Sequence, residues 1–347
     1  METSLVTTFS PLMFSSGVPD FEFQSRAREL EVSIMAGADV LLNVVQTPFD
    51  GIVHIYEVRE LIEDFMRISG TSSMDISIIA REDAGEFEEL ASFTVLYLDK
   101  DTDTDAATWC KNNFLTTAKS KRLVDNIADK LHAYSPDGES SELFYHITTQ
   151  NAQGEVRVFD EKIQDIVLSE GGWFYHDVCL RDAMDIVGTD KKVLAVAVRL
   201  GARVMNFYVY NPLPTGAFYF RNCFNVVELA LLQCTTTSHI KPTKKLASVR
   251  RNSVLYDCET KVSHEVETAP LSIDEIQWLD QLLSSHQVML INGKEVVIFE
   301  GDSEESDNNA ATNRLKFSWQ RTDARASLSA ADNDARIFQD PYSYQFD

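Results

Sequence analysis

Strict alternation of apolar and polar side chains constrains the fold of this chain more than any other feature. Leu30, Val32 and Ile34 alternate with Glu29, Glu31 and Ser33, and Phe93, Val95 and Tyr97 repeat the pattern. Met205, Phe207 and Val209 do so again, and Leu315, Phe317 and Trp319 stand against Lys316, Ser318 and Gln320. Successive side chains of an extended strand point to opposite sides, so a period of two gives one buried and one wet face. A chain with many such segments has to bury its sheets against one another or against helices.

Helical spacing is rarer. Val58, Leu61, Ile62 and Phe65 form one apolar stripe, with Arg59, Glu60, Glu63, Asp64 and Arg67 turned to water. A second helix is predicted over residues 273–283, where Ser272 and Glu275 have the spacing of a capping box. Its stripe is Ile276, Leu279, Leu282 and Leu283, with Trp278 on the flank. Leu123, Ile127 and Leu131 fit a third helix or an extended segment equally well. Asn292-Gly293 marks a hairpin, because both residues tolerate positive φ, and residues 150–154 mark another turn.

Three polar stretches, 99–108, 211–216 and 300–309, read as linkers or long loops. Boundaries at the first two divide the 347 residues into three segments. These are 1–99, an N-terminal β-sandwich with one short helix; 100–212, a middle β domain; and 213–347, a C-terminal β domain with one capped helix and an aromatic tail. The predicted class is therefore mainly β, with tandem β-sandwich domains of immunoglobulin/fibronectin-like or jelly-roll-like type and a few short helices.

Charge narrows the function. With 54 acidic and 31 basic residues the net charge is −23, which argues against stable nucleic-acid binding and against docking on anionic lipid. The longest apolar runs, such as residues 193–198, are strand-sized, and the opening residues lack the basic and apolar regions of a signal peptide. Cys110, Cys179, Cys223, Cys234 and Cys258 are odd in number and widely spaced, so they read as buried free thiols in a protein made in a reducing cytoplasm.

No motif points to catalysis. Asp99, Asp101, Asp103 and Asp105 alternate, but the sixth and twelfth positions counted from Asp99 are Thr104 and Cys110, where a calcium loop needs Gly and Glu. The stretch is read as a solvated linker, as are Glu304, Glu305 and Asp307. The seven histidines form no HxH or HExxH pair, and His176, Asp177 and Cys179 on a strand do not share a face. Nucleotide-loop and nucleophile-elbow motifs do not occur, so no enzyme, cofactor or metal is expected.

One segment runs against the overall charge. Lys241, Lys244, Lys245, Arg250 and Arg251 lie within eleven residues that hold no acid. Beside the reading as a solvated loop stands that of a basic arm laid on the acidic surface of a neighbouring copy. Phe218, Tyr219 and Phe220 are consecutive, so a strand there exposes at least one of them. The tail, with Ile337, Phe338, Pro341, Tyr342, Tyr344 and Phe346, resembles a linear anchor more than a solvated end. These basic and aromatic residues are the candidate interface.

Three stretches then show a resemblance. The first is TPFDGIVHIYEVR at 47–59 followed by the short helix. The second is FLTT at 114–117 with Lys119, Ser120 and Lys121, then FRNCFNVVE at 220–228. The third is TAPL at 268–271, Trp278, Leu279 and Leu282, SSH at 284–286, and NRLKFSW at 313–319. In this order they resemble structural proteins from the tail and baseplate modules of tailed phages and prophages of gut anaerobes. The resemblance implies a virion component of the tail region, assembled in the host cytoplasm. It would form an oligomeric ring or adaptor with other copies of itself and with neighbouring tail proteins. The alternative is a receptor- or glycan-binding tail module, with Trp109, Trp173 or exposed tyrosines as the sugar platform.

Overall fold

The computed structural model describes residues 3–83, 85–125, 127–188, 191–209, 214–249, 252–304 and 313–322. The protein is mainly β, with several separate open sheets, no barrel and four α-helices among the described residues.

The N-terminal segment holds β1 (Ser4–Leu5), β2 (Leu12–Phe14), β3 (Phe21–Gln24), β4 (Leu30–Ala36), β5 (Asp39–Gln46), β6 (Ile52–Ile55), α1 (Val58–Ser69), β7 (Ser73–Glu82) and β8 (Glu88–Leu96). One sheet runs β2-β8-β7-β4-β5 and the other β1-β3-β6. The alternating residues Leu30, Val32, Ile34, Phe93 and Val95 are buried, and they meet Phe21, Phe23, Val53 and Ile55 of the smaller sheet. Helix α1 adds Val58, Ile62 and Met66 to this core. It stops at Gly70, a left-handed residue at φ +67, and the Thr71 N–H closes back on the Met66 carbonyl at 3.0 Å.

The middle segment holds α2 (Ala106–Asn112), β9 (Ser120–Leu123), β10 (Asp129–Ser135), β11 (Glu139–Gln150), β12 (Val156–Leu168), β13 (Gly172–Val178), α3 (Leu180–Val187), β14 (Lys192–Leu200) and β15 (Arg203–Val209). Its larger sheet has the order β12-β11-β14-β15-β9, with β9 parallel to β15, and β10 pairs separately with β13. The stretch 123–131, left open between helix and extended chain, forms no helix among its described residues: β9 ends at Leu123, Val124 and Ile127 bridge to each other, and β10 begins at Asp129. Residues 99–108 are not wholly a linker. Asp105 caps α2 by accepting the Thr108 N–H at 2.9 Å.

The C-terminal segment holds β16 (Gly216–Arg221), β17 (Val227–Leu232), β18 (Cys234–Val249), β19 (Asn252–Thr268), α4 (Ile273–Ser284), β20 (Val288–Leu290), β21 (Glu295–Glu304) and β22 (Arg314–Arg321). They form one sheet in the order β17-β16-β20-β21-β22-β19-β18. Ser272 and Glu275 make the predicted capping box, and Gly293 at φ +77 turns the predicted hairpin between β20 and β21. Trp278, placed on the flank of α4 by its spacing, is buried with Ile276, Leu279 and Leu282.

Each sheet stays within one segment, but the packing crosses between segments. One apolar cluster runs from the middle sheets through β16, β22 and α4. A smaller one joins Leu12, Phe14 and Leu96 to Cys110, Leu115 and Tyr134 and to Cys223, Phe224 and Val226.

Candidate functional site

The basic segment lies on the longest hairpin of the chain. β18 and β19 pair from Cys234 opposite Thr268 out to Val249 opposite Asn252. β22 supports β19 only from His264 to Glu267, and β18 forms the edge of the sheet. The outer part, from Lys241 onward, is thus a two-stranded ribbon about 30 Å long at the usual rise per residue. Every described side chain from His239 to Leu246 is exposed, so both faces of β18 are wet over that stretch. Ile240 and Val262 sit directly opposite each other, 69% and 42% exposed, and Leu246 is 62% exposed. Residues 241–261 carry six basic and two acidic side chains.

The base of the ribbon is anchored. The His264 ring stacks on Trp319 with centroids 4.1 Å apart, and His264 Nδ1 shares a hydrogen bond with Ser238 Oγ at 2.9 Å. Arg314 Nη1 meets Glu267 at 2.6 Å. The outer edge is protected from strand addition: Pro242 has no N–H to offer, Lys241, Lys244 and Lys245 line the strand, and the register shifts between Lys245 and Leu246. A contact made here goes through side chains rather than through a new backbone ladder.

Acid-rich surface is exposed elsewhere. The turn between β7 and β8 and the start of β8 contain Asp83, Glu86, Glu88 and Glu89, all exposed, with half-buried Glu82 at the end of β7, Phe87 exposed beside them and Arg81 over its ring. Asp101, Asp103 and Asp105 lie exposed between β8 and α2, where Asp101 also meets Arg59 at 3.3 Å.

Other candidate residues fare differently. Phe218 and Phe220 are buried in the core and offer nothing to a partner, because β16 is covered on the face they share. Tyr219, on the other face, packs half-buried on Val124, Leu229 and Leu231 and donates its hydroxyl to the Ala128 carbonyl at 3.3 Å. Arg250, Arg251 and the tail residues Phe338, Tyr342, Tyr344 and Phe346 lie outside the described residues. Trp109 packs near Phe224, and Trp173 donates from Nε1 to Ser73 Oγ at 3.1 Å, so neither is an open platform for a sugar. His176 Nε2 shares a hydrogen bond with the Tyr145 hydroxyl at 2.6 Å. Among the described residues no group of three His, Cys, Asp or Glu is placed to hold a metal ion, and no helix is long and apolar enough to cross a membrane.

A second constellation was not predicted. Lys121 of β9, Asp129 of β10 and Glu228 of β17 are all buried, with Lys121 Nζ 2.8 Å from Asp129 Oδ2 and 2.6 Å from Glu228 Oε1. Asp129 Oδ1 accepts the Lys130 N–H at 2.9 Å and the Leu229 N–H at 3.2 Å. Thr116 Oγ1 donates to Glu228 Oε1, and Asn222 Nδ2 donates to Glu228 Oε2 at 3.0 Å. The Trp278 ring lies 5.5 Å from the ammonium. Lys121 and Glu228 fall within stretches that carry the resemblance, but nothing in their spacing shows that three strands bring them to one point.

Comparison with known proteins adds little. No family model matches the chain, and no curated protein matches it. Among solved structures, the crystal structure of trypsin-activated alpha-2-macroglobulin from Escherichia coli matches at 10% identity and a TM-score of 0.21, over 92% of this chain and 21% of that one. The chain spans about a fifth of that protein's length, and a superposition this poor bears on neither fold nor function.

Proposed function

We propose that this chain is a structural protein of a phage tail or baseplate, assembling through its β domains and a basic arm into a ring or adaptor. The observation that carries the reading is the ribbon of residues 241–261. A two-stranded hairpin is marginal by itself, and this one exposes Ile240, Leu246 and Val262 beside Lys241, Lys244 and Lys245. It is complementary to the acid-rich turn at 82–89, where Phe87 offers an apolar contact. A contact between the C-terminal segment of one copy and the N-terminal segment of the next is heterologous, the kind that closes into rings.

Mass photometry and negative-stain microscopy of the full chain test assembly, and mass spectrometry of purified particles tests the location. Closed oligomers and a peptide signature in tails support the proposal. A monomer at micromolar concentration, or absence from particles, rejects it.

A further inference from the structure

The strands β9, β10 and β17 bring an amine, a carboxyl group and a second carboxylate into contact in a buried site. We propose that Lys121 and Asp129 condense to an intramolecular isopeptide bond, with Glu228 as the proton carrier. The chemistry follows from what each atom faces. One cation against two carboxylates leaves a net negative charge away from water, which is costly, so one carboxyl retains a proton. The surroundings select Asp129. Burial outweighs the pull of Lys121 and raises the Asp129 carboxyl, whereas Lys121, Thr116 and their neighbours overcome burial and keep Glu228 ionised. Burial also works against the Lys121 ammonium, but Asp129 and Glu228 together hold its proton on.

From that arrangement the atoms balance. The Lys121 ammonium gives one proton to Glu228, 2.6 Å away, and becomes a neutral amine. Nζ attacks Cγ of the protonated Asp129 carboxyl. Negative charge collects on Oδ1, which already sits between the N–H groups of Lys130 and Leu229, in the manner of an oxyanion hole. Glu228 returns its proton to the Oδ2 hydroxyl, the Cγ–Oδ2 bond breaks and water leaves. Glu228 then takes a second proton from Nζ. An ammonium, a carboxylic acid and a carboxylate have become a secondary amide, one water and a carboxylic acid.

The fold supplies the driving force in two ways. It fixes the reacting groups in contact, which removes most of the entropic barrier to a bimolecular condensation. It also replaces three buried ionisable groups by a neutral amide and a neutral acid, and the dry site opposes hydrolysis.

Intact-mass measurement of the purified full chain, followed by tryptic mapping, tests this directly. The expected mass is one water below that of the sequence. Cleavage after Arg122 then leaves residues 120–122 joined to 123–130 through Lys121 and Asp129, as tandem spectra will locate. Lys121→Arg restores the full mass. Glu228→Gln, checked for native circular dichroism, leaves the chain uncondensed or slows the loss of water at least tenfold. A wild-type chain of full mass after prolonged incubation, or a water loss mapping to another residue, overturns the proposal. Condensation at an unchanged rate in folded Glu228→Gln overturns the role of Glu228.

Discussion

The side-chain amide of Asn225 donates to the Met66 carbonyl at 2.9 Å, so the turn between β16 and β17 caps the end of α1 in a different segment. The same amide donates to the Thr71 carbonyl at 3.0 Å, and Ser72 Oγ donates back to the Asn225 carbonyl at 2.9 Å. Arg221 Nη1 adds bonds to the Gly70 and Asn225 carbonyls at 3.1 and 2.7 Å. On the other side of the turn, Asn222 Nδ2 donates to the Leu115 carbonyl, and Gln281 Oε1 accepts the Cys223 N–H. Arg221, Asn222 and Asn225 therefore tie all three segments together.

Asn225 also holds a left-handed backbone at φ +57. Asn225→Ala loses both donations and keeps the unfavourable backbone, at a cost of about 2–3 kcal/mol in urea denaturation. Asn225→Gly loses the same bonds but relieves the backbone, and its midpoint falls between those of Ala and Asn. Equal midpoints for all three would remove the capping role.

Charge reversal on the ribbon separates assembly from folding. Lys244→Glu with Lys245→Glu changes exposed positions, so monomer stability moves by no more than about 0.5 kcal/mol. The same variant is expected to lose oligomers in light scattering at physiological salt. Oligomers that persist in the variant would count against a basic arm.

Acid is expected to destabilise the protein through its buried histidines. Burial lowers His132 from 6.5 to about 4, so the unfolded chain takes up a proton there before the folded one does. Stability from His132 is complete above pH 6.5 and falls as pH drops toward about 4, by about 3 kcal/mol in all. Burial lowers His176, His264 and His286 as well, which adds to the same trend. His132→Gln, uncharged throughout, should show a flatter pH dependence of the urea midpoint between pH 7 and 4.5. A slope equal to wild type would place the acid sensitivity elsewhere.

Gly172 begins β13 where a side chain has no room. A Cβ there would stand 2.7 Å from the Ser169 carbonyl oxygen and 3.1 Å from its amide nitrogen, and backbone cannot swing aside. Gly172→Ala is expected to cost about 1–3 kcal/mol, as overpacking does. Gly17→Ala, with no atom within 4 Å of the added carbon, is the matched control and should leave the melting temperature nearly unchanged. Equal melting temperatures for the two variants would contradict the crowding.

What was legible in the sequence follows from the range of the forces. The alternation at Leu30–Ile34 and Leu315–Trp319, the Ser272/Glu275 cap and the Asn292-Gly293 turn are local, and each appears in the structure in the role its spacing assigned, except that Ser33, expected on the wet face, is buried at 3% exposure. Short helices α2 and α3 escaped because seven and eight residues give too few turns for a period to stand out. Phe218 and Phe220 were misplaced because alternation says that two of three neighbours share a face, not which face is covered. The basic residues of the arm were visible as a composition change, but their projection depends on where β22 stops supporting β19. The Lys121, Asp129 and Glu228 cluster was invisible for a stronger reason: Glu228 lies 107 residues from Lys121, and only the docking of β17 brings them together.

Two strands run parallel to partners made much later, and this orders the protein's birth on the ribosome. β2 ends at Phe14 but pairs with β8, which begins at Glu88, and β9 at Ser120–Leu123 pairs with β15 beyond residue 203. At about 5–20 residues per second, Leu12 and Phe14 wait several seconds for their covering strand. The nascent chain thus carries the apolar β2 unsheltered until β8 is made, a window in which chaperones have something to hold.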